Sequence, residues 1–496
     1  MAAEVPEIRS SAATPVVSAP PSQMQSPRVE KSPEGSPMRK AVATVRGYLE
    51  DVGHLTKLER QDSWLPITES RNGNAYYSAF HTLSSGIGIQ ALVLPVAFTY
   101  LGWTWGIICL SLAFIWQLYT LWLLIYLHES IAGIRFSRYL HLATTAFGQK
   151  LGKLLAIFPT MYLSAGTCSA LIIVGGSSMK LFYQIVCGPA CASKPLTAVE
   201  WYVVFACLAA VLAQLPNLNS IAGVSLAGAI TAVSYCTVIW VVSVGKGRLP
   251  GVSYAPAHAD SGTVRRLLDI CNALGIIAFA FRGHNVVLEI QGTMPSTLKH
   301  PSRVPMWRGV KAAYLLIFFC LYPVAIGGFW AYGNKVPPSG ILQALYTFHA
   351  GNVPAAILGL TTLLVVINCL SSFQIYAMPI FDKMEAGYTE KKNRPCPRWL
   401  RSAFRGFFVA LAFLLAVAFP FLSDMAALIG AIALPVTLAY PCFMWVILKK
   451  PKRFSAMWYI NWSLGSFGMG LSSVLAAGGL WNLVDTGFRF RFFKPQ

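Results

Sequence analysis

From about residue 75 onward the chain is a succession of long apolar runs separated by short polar segments. Runs of spanning length fall at about 75–100, 103–127, 151–183, 197–214 and 219–244, then at about 267–291, 309–332, 353–380, 402–421, 424–448 and 456–483. A hydrocarbon core ~30 Å thick needs roughly 20 apolar residues per helix. Lipid admits only helices and closed barrels, because every backbone polar group must be satisfied internally. Barrel strands read as ~10-residue alternating segments, and these runs are continuous. The pattern predicts an all-α polytopic membrane protein with eleven spans. The stretch 135–150 is shorter and mixed in polarity, as an interfacial amphipathic helix would be.

Two runs are interrupted. The first contains Ser84-Ser-Gly-Ile-Gly88 ahead of Pro95, and the sixth contains Phe281-Arg-Gly-His-Asn285 ahead of Glu289. Paired interrupted helices in corresponding positions of two halves point to a transporter's binding site. They lie five helices apart, and an odd number forces the second half into the opposite topology. The expected fold is a five-plus-five inverted repeat with an eleventh helix appended. Glycine in a membrane helix can also serve close packing alone, which accounts for one such helix more readily than for two in register.

Composition agrees. Hydrophobic residues make up 55% of the 496, charged residues 12%, and the mean hydropathy is +0.55. A soluble domain carries roughly a quarter charged residues. The net charge of +20 does not imply nucleic-acid binding, because the basic residues sit in short loops beside apolar runs, as the positive-inside rule describes. Most fall on one side if the N-terminus is cytosolic, including Lys383, Lys391, Lys392, Arg394, Arg398, Arg401 and Arg405 in the eighth loop. Phe492 and Pro495 are then extracellular. The expected organisation is a cytosolic tail over 1–73, Ser/Pro-rich and disordered to about 40, a transmembrane transporter domain over 74–483, and a short extracellular tail over 484–496.

The first 40 residues have no apolar core of a signal peptide. Thr14-Pro15, Ser26-Pro27, Ser32-Pro33 and Ser36-Pro37 are candidate phosphorylation sites, or simply the Ser-Pro pairs common in disordered tails. Most cysteines lie singly in apolar runs as small buried hydrophobes. Cys187 and Cys191 share an expected extracellular loop, where a disulfide can form. No cofactor or metal pattern is present. His128-Glu129 lacks the second histidine of a zinc motif, and no catalytic triad pattern indicates an enzyme.

Residues 275–291, Gly-Ile-Ile-Ala-Phe-Ala-Phe-Arg-Gly-His-Asn-Val-Val-Leu-Glu-Ile-Gln, resemble the sixth-helix signature of plant lysine/histidine transporters, in the amino acid/auxin permease family. Leu101-Gly-Trp, Leu118-Tyr-Thr-Leu-Trp122, Leu215-Pro-Asn-Leu-Asn, Pro305-Met-Trp-Arg-Gly309 and Phe373-Gln-Ile-Tyr-Ala-Met-Pro379 look like the same family in the same order. The resemblance covers about residues 40–496. It implies a LeuT-type fold, proton-coupled amino acid uptake and the plasma membrane.

An amino acid presents a carboxylate and an ammonium group. Free N–H groups where the first helix unwinds can hold the carboxylate, which makes Ser84, Ser85, Gly86, Ile87, Gly88 and Gln90 candidate substrate residues. Carbonyls freed near Phe279 can accept from the ammonium, and Phe281 either shapes the pocket or is an ordinary packing aromatic. Arg282 is the one Lys or Arg well inside a span, and such charges are functional candidates. It can bind a substrate carboxylate, pair with Glu289, or snorkel to the interface. His284, Glu289 and His81 are candidate proton-handling groups, with an ion pair for Glu289 and a hydrogen-bonded structural role for His81 as alternatives. Ser371 and Ser372 resemble the hydroxyls that line the sodium site of LeuT-type symporters, or pack without an ion.

The chain departs from the family pattern at three places. Ile89-Gln90 replaces a further glycine after Gly88, Ser164 stands where the third span has a glutamate, and Arg282 stands where alanine precedes Gly-His-Asn. The last two remove a negative and add a positive charge near the site, which works against cationic substrates. Neutral or acidic amino acids, or another small carboxylate, are the expected substrates. An auxin-like importer, or an amino-acid sensor signalling through the tail, are the alternative readings.

Overall fold

The computed structural model describes residues 60–131, 133–188, 196–257, 262–297, 299–419 and 422–485. Nearly all of the N-terminal tail with its Ser/Thr-Pro pairs, Cys191 and residues 486–496 lie outside them.

Every regular element among the described residues is helical. In chain order these are α1 (Ala75–Gly86), α2 (Ile89–Leu127), α3 (Tyr139–Phe147), α4 (Gln149–Cys187), α5 (Ala198–Leu212), α6 (Ala222–Gly245), α7 (Thr263–Ala280) and α8 (His284–Gly292). There follow α9 (Arg303–Tyr332), α10 (Ile341–His349), α11 (Ala355–Lys392), α12 (Arg398–Ala418), α13 (Leu422–Leu434), α14 (Tyr440–Lys449) and α15 (Ala456–Asp485). A five-residue π turn, Pro435–Ala439, joins α13 to α14 into one rod. Eight helices among the described residues are long and apolar enough to cross a membrane, and Ala198–Leu212 is a shorter apolar one.

Helix ends follow local chemistry. The Asn74 side chain accepts from the Tyr77 N–H and starts α1, and Thr197 with Glu200 forms a capping box at α5. Asn393 ends α11 in the left-handed region after Lys391 and Lys392. Gly102, at φ 69°, ψ −171°, breaks α2 internally, so 89–101 completes the first expected span and 103–127 forms the second. The amphipathic stretch expected over 135–150 is helical only from Tyr139 to Phe147. Gly148 at φ 85° ends α3, and α4 starts at once.

Both predicted interruptions are present. Ile87 is extended and Gly88 intervenes before α2 starts. Phe281, Arg282 and Gly283 separate α7 from α8, with Gly283 at φ 136°, a conformation glycine tolerates and other residues rarely adopt. The helices around them pack at backbone distance. A Cβ at Gly430 would lie 2.1 Å from the Gly275 carbonyl oxygen, so α13 and α7 touch main chain to main chain.

The two ends of the bundle differ. At one end, the start of α10 and the loop before α7 lie over the first span. A Cβ at Gly340 would meet the Leu92 carbonyl oxygen at 2.5 Å, and the Ala257 N–H donates to the Thr99 carbonyl at 2.7 Å. At the other, basic end a polar cavity of about 540 Å³ opens among Arg71, Arg135, Arg138, Asp382, Asn285 and Glu289.

Candidate substrate site

The break in the first span is held by side chains from α6 and α11, each donating to a main-chain carbonyl that the unwound turn releases. Ser372 Oγ donates to Ser84 O at 2.7 Å, Tyr376 Oη to Ser85 O at 2.9 Å, Asn368 Nδ2 to Ile87 O at 3.4 Å, and Tyr235 Oη to Gly88 O at 2.9 Å. Gln90 reaches back to Ser85 O at 3.2 Å. The Ala91 N–H turns back to Gly88 O at 3.0 Å, which leaves the Ile89 and Gln90 N–H groups as the ones the first turn of α2 has no carbonyl for. These are anion-binding by charge and direction. The Ser84–Gly88 stretch and Gln90 stand together at the break, all buried.

The two breaks meet. A Cβ on Gly283 would lie 3.9 Å from Ser85 Oγ. Between them sits Arg282, 2% exposed. Its guanidinium lies 4.0 Å from the Phe279 ring centroid and 5.0 Å from that of Tyr376. Its Nε, Nη1 and Nη2 are buried without a hydrogen-bond partner among the described residues. The alternatives left open by the sequence narrow accordingly. There is no ion pair between Arg282 and Glu289 among the described residues, and the side chain does not reach an interface. Glu289 instead lines the basic-end cavity with Arg138 and Asp382. Phe281 turns its ring edge against Phe114 of α2, with centroids 5.9 Å apart.

His81 and His284 are fully buried. His284 Nε2 lies 2.9 Å from Thr120 Oγ1, and His81 Nδ1 lies 2.8 Å from Ser225 Oγ. In each ring the other nitrogen has no partner among the described residues. Ser371 Oγ donates to Val224 O at 2.9 Å and lies 3.0 Å from Ser84 Oγ. Gly228 of α6 closes on this pair: a Cβ there would fall 2.3 Å from Ser371 Oγ and 2.6 Å from Ser84 Oγ. Cys187, at the end of α4, is disulfide-bonded, and its expected partner Cys191 lies outside the described residues.

Residues 71–484 match the family described as "Transmembrane amino acid transporter protein". The chain belongs to that family. "Lysine histidine transporter-like 8" of Arabidopsis thaliana is 59% identical over 475 residues, covering 96% of this chain and 91% of the relative. "Lysine histidine transporter-like 1" of the same plant is 38% identical over 89% of this chain and 95% of the relative. Its "GABA transporter 1" is 27% identical over 83% and 88%. A solved structure of a Na+-coupled sialic acid symporter, substrate-bound and outward-open, superposes with a TM-score of 0.53 at 14% identity. It covers 88% of this chain and 96% of that one, and the shared feature is the LeuT-type fold. The chain is thus a multi-pass membrane transporter of amino acids.

Sequence reasoning missed several residues of this transporter's site. Tyr376, Tyr235 and Asn368 hold the first break, and Asn285 Nδ2 donates to Ser164 Oγ at 3.0 Å. Asn368 carried a readable signal, a carboxamide in mid-span that lipid would not tolerate unpaired. The tyrosines carried none, since an aromatic in a membrane helix is ordinary packing until a hydroxyl partner is seen.

Proposed function

We propose that the chain imports neutral or acidic amino acids by proton symport at the plasma membrane. In this reading the substrate carboxylate is held between Arg282 and the N–H groups that open α2. The observation that carries it is the buried guanidinium of Arg282, stacked on two rings with no carboxylate paired to it among the described residues. A buried charge without a counter-charge costs several kcal/mol, and a bidentate carboxylate is the group its planar fork fits. Gln90 and Phe279 complete the wall. The ammonium would meet the carbonyls of Phe279 and Ala280 where α7 ends; the Ala278 carbonyl already accepts from the Phe281 N–H. Ser164, in place of a carboxylate beside Asn285, removes the attraction a cationic side chain would need. A small carboxylate without an ammonium group is the alternative substrate that the same guanidinium favours.

His284, Glu289 and His81 are the proposed proton-handling groups. His284 directly follows the second break, and Glu289 faces the polar cavity. Ser371 and Ser372 both donate to carbonyls, and Gly228 packs on the Ser84–Ser371 pair, so both hydroxyls have a structural role without an ion. The proposed orientation places residues 1–73 and the basic end in the cytosol, the 74–483 transporter domain in the bilayer and 484–496 outside. Uptake into proteoliposomes with an imposed proton gradient, run over a panel of labelled lysine, glutamate and a neutral amino acid, tests the proposal. Accumulation of glutamate or the neutral amino acid that collapses with the gradient is expected. Uptake indifferent to the gradient removes proton symport, and lysine uptake above the others removes the substrate assignment.

A further inference from the structure

The cavity at the basic end contains more unspent positive charge than its walls need. Among its lining carboxylates, Asp382 and Asp62 are both taken by Arg138, whose Nε donates to Asp382 Oδ2 at 2.6 Å and Nη1 to Asp62 Oδ1 at 2.9 Å. Arg71 and Arg135 line the same cavity. Arg71 is 6% exposed, and its Nε and Nη1 have no hydrogen-bond partner among the described residues. Arg135 gives Nη2 to the Met294 carbonyl at 2.8 Å and has Glu129 3.5 Å from Nε, but its buried Nη1 is also unpartnered. Glu289 and Glu390 are the remaining carboxylates of the lining.

The electrostatics run the same way. Burial, then repulsion from Arg71, lowers Arg135 to about 10. Burial lowers Arg71 as well, against the pull of Asp62. Arg71 is pressed by Arg138 and Arg135 by Arg71, and two such guanidiniums with buried N–H groups unpartnered beside a cavity are short of an anion.

We propose that this cavity is a second oxyanion site, in which Arg71 and Arg135 hold a carboxylate or a phosphate at the cytosolic end of the transporter. Asn285 and Glu289 lie on its wall, so it adjoins the proposed central site, but the two arginines that would hold the anion are not part of that site. The chemistry admits two sources, the carboxylate of an amino acid leaving the central site and free inorganic phosphate.

Thermal unfolding of the purified full-length protein tests it, with inorganic phosphate, L-glutamate or chloride added at matched ionic strength. Phosphate or glutamate is expected to raise the midpoint by roughly 3 °C, the size that saturating a site on a protein this large produces. Chloride should not. Arg71→Gln and Arg135→Gln should each lose most of the shift, and Arg71→Lys should keep part of it. Because each variant is compared with itself without anion, a general loss of stability does not imitate the result. A glutamate shift that persists in Arg282→Ala and needs Arg71 assigns the departing substrate. A shift with phosphate alone assigns the inorganic anion. No shift with either anion, or a shift indifferent to both arginines, overturns the site.

Discussion

The guanidinium of Arg282 rests 4.0 Å from the ring centroid of Phe279, a residue of its own span, and not against any carboxylate among the described residues. The contact is a cation–π interaction of about 1–2 kcal/mol in a desolvated setting, too little to offset the burial of the charge. Replacing Arg282 with methionine should therefore leave the protein as stable or more stable, while initial uptake rates fall at least about tenfold. Arg282→Lys should not restore uptake, because an ammonium neither stacks on the ring nor offers two parallel donors. Paired uptake and unfolding measurements check this. Full transport by the methionine variant would exclude a role for the charge in binding.

Gly283 at φ 136° and Gly228 against Ser371 are backbone positions, not contacts that can be repacked. Gly283→Ala forces a side chain into a strained region at a cost of about 1–3 kcal/mol. It should lower uptake while the helices on either side persist. Gly228→Ala pushes α6 off α1 and α11 together, so both thermal stability and uptake should fall. Circular dichroism and uptake separate the two effects.

Much of the fold was legible because lipid demands continuous apolar runs, and because unwinding a helix in mid-membrane needs glycine and polar atoms. Gly86–Gly88 and Arg282–Gly283 announced both breaks for that reason. Arg282 was likewise visible as an isolated charge. What holds the breaks in place was not legible: Tyr376, Tyr235 and Asn368 act across distances of more than a hundred residues, and no local pattern records such pairing. The cavity arginines were hidden by their own abundance, since Arg71 and Arg135 are two among many loop cations that the positive-inside rule explains equally well.

Arg138 ties α11 to the segment before α1 through Asp382 and Asp62. Burial works against its charge, yet Asp382, and then Asp62, hold its pKa raised. Arg138→Gln and Asp382→Asn should each lower the unfolding midpoint. The double variant should fall little beyond the worse single one, with a coupling energy of about 1–3 kcal/mol. Additive losses would show that the pair is not a unit.

Glu385 is 1% exposed, forms an ion pair with Arg401 Nε at 2.8 Å and accepts from Arg405 Nη2 at 3.5 Å. Arg405 in turn donates to the carbonyls of Ala213, Leu215 and Pro216, so one carboxylate anchors α12 and the end of α5 to α11. Glu385→Gln leaves the buried Arg405 without its carboxylate, while the half-buried Arg401 keeps Glu69 at 3.7 Å and the Trp64 carbonyl, and it should cost about 3 kcal/mol. Thermal unfolding checks it. An unchanged midpoint would mean that solvent already screens the cluster.

Arg282 also gives the empty transporter an electrical character. A positive charge buried in mid-span feels part of the membrane potential, and a full crossing at 100 mV corresponds to about 2.3 kcal/mol. In the proposed cycle a substrate carboxylate on Arg282 would offset that charge, while the substrate ammonium and the coupling proton would add to it. The loaded step would then respond to voltage as well as the return of the empty carrier.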